Sequence, residues 1–481
     1  MQKGQENNPN PLRYIKKGEK YRAINIVVCI VMLFLCIYEN DLFAHELSTS
    51  IYVYWILGSA CSLLSKDVFF SMPVIIIRCF GLIRYFMIGY AMNSEAISLS
   101  HFKYGWIMVV EMVMVYMVFF LYTYKNPEFK EDLILYQKDE YITENKYYGI
   151  SIVAVLAMAS MYISLNRSIL IKYFTLNTGL AIDFSNGFVA LIVSSFFSIV
   201  YIKALIFIEN MNVNSKIVKL LGEFIVSILF VNGSNLTSTS VSRWSFLVSI
   251  IIAYMFLTRM HPEFKKKLTV ILVVSGVAVI LVSSLNKFQM LGASGYNSIN
   301  ETTKTLFSYK NLNAYCSGPT NIANGMKTVN YIDEMHISKF EMLVSDIFNN
   351  FPLLNKFLVN VNVTSPRLFN YVIYGTTKFV DQIMPLSVQF YNYFGFLFFI
   401  PEMVMVYAAL DCYKQAFYEK NFIRIYYLIY LSFTFSLVNN INMTVMFQNI
   451  WIQILPMYLI YKFNYRKRKI ASTFSKPSDM R

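Results

Sequence analysis

Arg243 sits in the run Ser240-Val241-Ser242-Arg243-Trp244-Ser245, after a polar turn and at the start of a long apolar block. A planar guanidinium placed there can grip a phosphate with two parallel hydrogen bonds, although the same position suits an arginine that only snorkels to a membrane surface. Arg78 and Arg84 lie well inside another apolar block. An unpaired charge there costs roughly 2.5 to 3.5 kcal/mol, so each needs a partner or water. Glu111, in the following block, falls at the depth of Arg84 if the two blocks run antiparallel. A buried ion pair is therefore expected, which either fixes helix register or lines a cavity. Arg78 has no evident partner in the sequence. Further along, a long polar segment supplies Lys327 and Arg367 as cations, Asp333 as an acid and His336 as its sole histidine. Imidazole and carboxylate are the groups that remove a proton from a hydroxyl near neutral pH, so His336 and Asp333 are the candidate catalytic bases. The plainer reading of both is solvated surface.

Other chemistries are missing their signatures. There is no Walker loop, dinucleotide fingerprint, HExxH pair or GxSxG elbow in a suitable setting, and no soluble segment on the basic side is long enough to bind a nucleotide. Cys29, Cys36, Cys61 and Cys79 fall in or beside apolar blocks and Cys316 stands alone in the polar segment, so neither a disulfide framework nor a metal pattern follows. No metal and no cofactor are expected. The net charge of +14 is concentrated beside apolar blocks, which makes it an orientation signal rather than a nucleic-acid surface.

The elements that must position these residues are helices in lipid. Of 481 residues 56% are hydrophobic and 15% charged, and the apolar ones fall in long blocks without amphipathic spacing. Only helices satisfy their own backbone amides in hydrocarbon over such lengths, and a β-barrel would show short alternating segments instead. The expected fold is all-α, with about twelve transmembrane helices near 23–38, 48–64, 68–92, 104–124, 148–165, 187–208, 217–232, 242–258, 268–285, 383–410, 421–438 and 443–461. The segment 169–183 reads as a short re-entrant or interfacial piece. This divides the chain into an N-terminal tail (1–22), nine helices (23–285), a long loop (286–382), three helices (383–461) and a basic tail (462–481) expected to be disordered. With both termini cytoplasmic, about 27 Lys and Arg fall inside and about four in the short outer loops, as the positive-inside rule requires. The long loop then faces outward. Its Asn313–Asn324 stretch is polar, and Phe340, Leu343, Val344, Ile347, Phe348 and Phe351 have the spacing of a helix lying on the membrane surface.

Two stretches carry a family resemblance: Ser242-Arg243-Trp244-Ser245 and Gln389-Phe390-Tyr391-Asn392-Tyr393-Phe394-Gly395. They resemble the O-antigen and capsular polysaccharide polymerases of the Wzy type, in which an Arg often follows a small residue at the start of a middle span and a Glu-x-Tyr-x-Asn-Phe-Gly-like segment follows the large outer loop. Arg243, Tyr391, Phe394 and Gly395 match, while Gln389 stands where Glu is usual and Tyr393 where Asn is usual. The resemblance implies an architecture like that of the GT-C-type polymerases and ligases, in the bacterial cytoplasmic membrane. It implies transfer of a glycan from undecaprenyl diphosphate to the free end of another lipid-linked repeat unit. Arg243, Arg367, Lys327, Gln389, Tyr391, Arg78 and Arg84 would then bind substrate, His336 or Asp333 would serve as base, and a chain-length regulator and a flippase would be partners. The competing reading is a flippase for lipid-linked oligosaccharide, which would favour two similar halves that the sequence does not display.

Overall fold

The computed structural model describes residues 71–88, 91, 104–126, 149–165, 187–212, 215–235, 243–272, 274–276, 308–351, 354–376 and 383–474. The expected spans at 23–38 and 48–64, the segment 169–183 and most of 268–285 lie outside these residues. Among the described residues the fold is all-helical. Three helices among the described residues are long and apolar enough to cross a membrane, Gly105–Lys125, Leu191–Asn210 and Met443–Asn464, and a bent pair can make a fourth. These mark the chain as a membrane protein.

The helices before the polar segment are α1 (Met72–Leu82), α2 (Gly105–Lys125), α3 (Ile150–Leu165), α4 (Gly187–Asn210), α5 (Lys216–Asn235) and α6 (Arg243–Met260). The polar segment holds α7 (Tyr309–Tyr315), α8 (Pro319–Glu334), α9 (Lys339–Phe348) and α10 (Ser365–Tyr374). Then come α11 (Leu386–Phe394), α12 (Phe399–Tyr418), α13 (Phe422–Ser436), α14 (Met443–Asn449) and α15 (Leu455–Phe474). Two of the long elements contain π turns, Ile83–Met87 after α1 and Ile450–Ile454 between α14 and α15.

Several boundaries differ from the sequence expectation for identifiable reasons. The block at 383–410 is two helices, α11 and α12, whose axes turn through 117°. The turn is made at Gly395, whose φ of 59° and ψ of −134° belong to a region open only to glycine. Hydropathy does not register that conformation. The basic end, expected to be disordered from residue 462, is helical as far as Phe474.

The Asn313–Asn324 stretch is not an open loop. Gly318 has no side chain to cap α8, and the Asn313 side chain takes that role, accepting hydrogen bonds from the backbone amides of Thr320 (3.0 Å) and Asn321 (3.4 Å). A Cβ on Gly318 would fall 2.6 Å from Asn313 Oδ1 and 2.7 Å from Ile88 Cδ1, so glycine lets α8 approach α1 closely. Helix α9 packs against the protein itself. Leu343 and Ile347 join the main core, Phe348 and Phe351 meet the Trp451 ring at 6.1 and 4.7 Å, and Trp451 Nε1 donates to the Ile347 carbonyl at 2.7 Å. Helices α7 to α10 thus form a cap seated on α11, α14 and the end of α1 that carries Arg84.

Candidate functional site

Beneath the cap, the link between α13 and α14 runs from Leu437 to Asn442 with every residue buried. A buried irregular segment must find partners for its backbone and amides within the protein. Asn442 caps α14 by accepting from the Val445 amide at 2.9 Å, Gln389 Oε1 accepts from the Met443 amide at 2.8 Å, and Asn440 Nδ2 points to Cys316 Sγ at 3.9 Å. Asn439 turns toward α1. Its Oδ1 accepts from Arg84 Nη1 at 3.1 Å, and the same nitrogen donates to Glu111 Oε1 at 2.7 Å.

Arg84 and Glu111 are thus the buried ion pair that their depth suggests, at 0% and 1% exposure. Glu402, in the first turn of α12, is equally buried and lies within electrostatic range of both. The positive N-terminal end of α12 favours a carboxylate there. Among the described residues, Arg84 Nε and Nη2, Glu111 Oε2 and both Glu402 oxygens have no hydrogen-bond partner. One guanidinium among two carboxylates is neutral only if the carboxylates hold one proton between them or a second positive group joins them. The arrangement can share a proton. The π turn at Ile83–Met87 carries Arg84, and such turns recur at functional positions. Cys316 is a neighbour but no nucleophile, since burial pushes its thiol up to about 12.

A second buried group fastens the cap. Asp346 on α9 is fully buried and collects donors from three other helices, α10, α11 and α14. Its carboxylate accepts from the Ser365 amide (2.9 Å) and the Ser365 hydroxyl, from Tyr393 Oη (2.6 Å), from Thr444 Oγ1 (3.4 Å) and from Gln389 Nε2 (3.5 Å). Burial pushes this carboxyl above the ordinary aspartate range, against the hydrogen bonds from Ser365, Tyr393 and Thr444 that pull it down.

The structure brings some of the sequence-derived candidates together and leaves others apart. Gln389 is buried and bridges Asp346 to α14. Tyr391 packs edge-on to Trp106 at 5.9 Å and to Phe396 at 5.9 Å, in an aromatic joint at the 117° bend. Arg78 lies over the Tyr116 ring at 5.5 Å, so a π face on α2 supplies the partner not evident in the sequence. Lys327 is exposed on α8 and Arg367 half-buried on α10. Asp333 and His336 are exposed at the far end of α8, about 20 Å along the helix from Gly318. Asp333 pairs with Lys339 at 2.8 Å. His336 adopts φ 52° at the position just past the helix, with the Ile337 amide bonded to the Ile332 carbonyl and its own amide to that of Asp333. That is a Schellman termination, which gives His336 a backbone role. Arg243 begins α6, and its side chain lies outside the described residues.

Sequence reading missed Glu402, Asn439 and Asp346. The polar run Asn439-Asn440-Ile441-Asn442 between two apolar blocks, and the shared helical face of Met342, Ser345 and Asp346, are the signals that point to them.

No family model, curated protein or solved structure matches this chain.

Proposed function

We propose that this protein polymerises lipid-diphosphate-linked oligosaccharide repeat units into a surface polysaccharide, as a glycosyltransferase in the bacterial cytoplasmic membrane. In this reading about twelve helices cross the membrane, both termini are cytoplasmic, and the α7–α10 cap faces outward as part of a GT-C-like architecture. One observation carries the proposal. Gln389 and Tyr393, the two positions at which the polymerase-like segment departs from Glu and Asn, both donate to Asp346, so the cap returns a carboxylate to the segment.

The diphosphate is already a good leaving group, so the protein has mainly to neutralise its charge and align the acceptor hydroxyl. Arg243 and Arg367 grip the diphosphate, with Lys327 adding positive charge. The base is His336 or Asp333 at the exposed end of α8, and Tyr391 with its aromatic neighbours offers sugar-stacking surface. Deleting the gene and sizing the surface glycan tests the reading: long chains disappear while single repeat units are still exported. Arg243→Ala and Arg243→Lys should each shorten the chains, and full activity in both removes Arg243 from the diphosphate grip.

A flippase is the second reading, favoured by the break between α13 and α14 beside a buried Arg–Glu cluster, as in transporters that place substrate at interrupted helices. Deletion then leaves lipid-linked units trapped on the inner leaflet, which the same experiment detects.

A further inference from the structure

Three helix ends meet at the opposite extremity of the bundle from the cap. Glu209 lies in the last turn of α4, Glu223 in the second turn of α5, and His261 directly follows α6. Arg259, two residues earlier, donates to the carbonyls of Ala416 and Glu419 at the C-terminal end of α12. About 20 to 25 Å of α12 separates this level from Glu402. The three side chains are 5%, 0% and 1% exposed.

His261 Nε2 faces both carboxylates, 3.2 Å from Glu209 Oε1 and 2.6 Å from Glu223 Oε2. One ligand atom from each residue lies within 4.8 Å of the other two. Tetrahedral ligands at about 2.0 to 2.1 Å from zinc stand about 3.3 Å apart, so a small outward movement of Glu223 makes room for an ion. Two further observations point to a cation. Glu223 Oε1 is fully buried with no hydrogen-bond partner among the described residues. Glu209 and His261 sit at the C-terminal ends of α4 and α6, where the helix dipole opposes a carboxylate and favours positive charge. Lys219 approaches only the rim, with Nζ 2.6 Å from the Glu209 carbonyl and 3.9 Å from Glu209 Oε2.

We propose that Glu209, Glu223 and His261 bind one divalent transition-metal ion, of the zinc or manganese class, which ties the ends of α4, α5 and α6 together. One imidazole with two carboxylates suits such an ion and leaves a fourth position for a water or a second carboxylate oxygen. The rival occupant is a proton on His261 shared between the two glutamates.

The full-length protein, purified in detergent, stripped with a chelator and dialysed, is titrated with Zn²⁺ alone and, separately, with Mn²⁺ and with Mg²⁺. The expected result is one equivalent of Zn²⁺ or Mn²⁺ bound and none of Mg²⁺. Zinc-edge absorption spectroscopy should read nitrogen and oxygen neighbours at about 2.0 to 2.1 Å. Glu223→Gln and His261→Gln should each weaken binding at least ~100-fold, while Lys219→Met keeps the stoichiometry at one. Absence of a stoichiometric ion in the wild type, or undiminished binding in both folded variants, overturns the metal and leaves the shared proton. If the variants fail to fold, the wild-type titration and its spectrum decide.

Discussion

The Tyr393 hydroxyl donates to Asp346 Oδ2 at 2.6 Å, joining the helix that carries the polymerase-like segment to the central helix of the cap. Removing that hydroxyl in Tyr393→Phe should cost about 1.5 to 3 kcal/mol, the range for a hydrogen bond to a charged group. Asp346→Ala should cost more, because it strands the Ser365 amide and the Gln389 amide together. Hydrogen exchange should rise across α7–α10 in both variants and stay unchanged in α4–α6. A uniform rise over the whole chain would show that the pair does not act as a cap fastening.

Burial sets the sign of a pH effect at the same carboxyl. The folded cap raises the Asp346 pKa above its ordinary value of 3.8, so it binds the proton more tightly than the unfolded chain does. That contribution to stability is fully present below 3.8 and is lost as pH rises through the elevated folded value. Protection of α9 from proteolysis should therefore fall with rising pH over that window in the wild type and stay flat there in Asp346→Asn.

At the buried cluster, Arg84→Met leaves Glu111 and Glu402 without their cation. Breaking a buried pair in this way should cost about 3 to 5 kcal/mol. Glu402→Gln removes one of two carboxylates that compete for a single guanidinium, and its melting temperature should match or exceed that of the wild type. Thermal melting in detergent reads both, and a strongly destabilised Glu402→Gln would contradict the charge count.

Gly395→Ala tests the bend. An added Cβ meets nothing within 4 Å, so only the backbone conformation opposes it, at about 1 to 3 kcal/mol. The loss should appear as a lower melting temperature and not be relieved by trimming Phe394 or Phe396.

His336→Gly separates backbone from chemistry. Glycine tolerates φ 52° better than histidine does, so the variant should be as stable as the wild type or more so. If glycan length is also unchanged, His336 serves only to end α8. Loss of long chains with the fold intact would make the imidazole a base.

The helices were legible because lipid imposes long apolar blocks, and Arg84–Glu111 because antiparallel neighbours share depth. Glu402 was hidden: one acid near the start of an apolar block resembles a boundary residue, and only the bend at Gly395 carries it inward. Asp346 was hidden because the apolar spacing on α9 marks the face of Leu343 and Ile347, while the buried face also includes Met342, Ser345 and Asp346. The positive φ of His336 leaves no trace in composition, so its part in ending α8 was not legible beside its candidacy as a base.

The buried link at 437–442 also bears on the order in which the protein is made. Asn439 reaches Arg84, Asn440 reaches Cys316, and the Met443 amide just beyond them reaches Gln389, all encoded earlier in the chain. During synthesis the cap therefore emerges before the turn it must cover, and Asn439, Asn440 and the Met443 amide meet waiting partners. A version split both before α7 and after α10, with the cap supplied last, would expose that turn to lipid or water until assembly was complete.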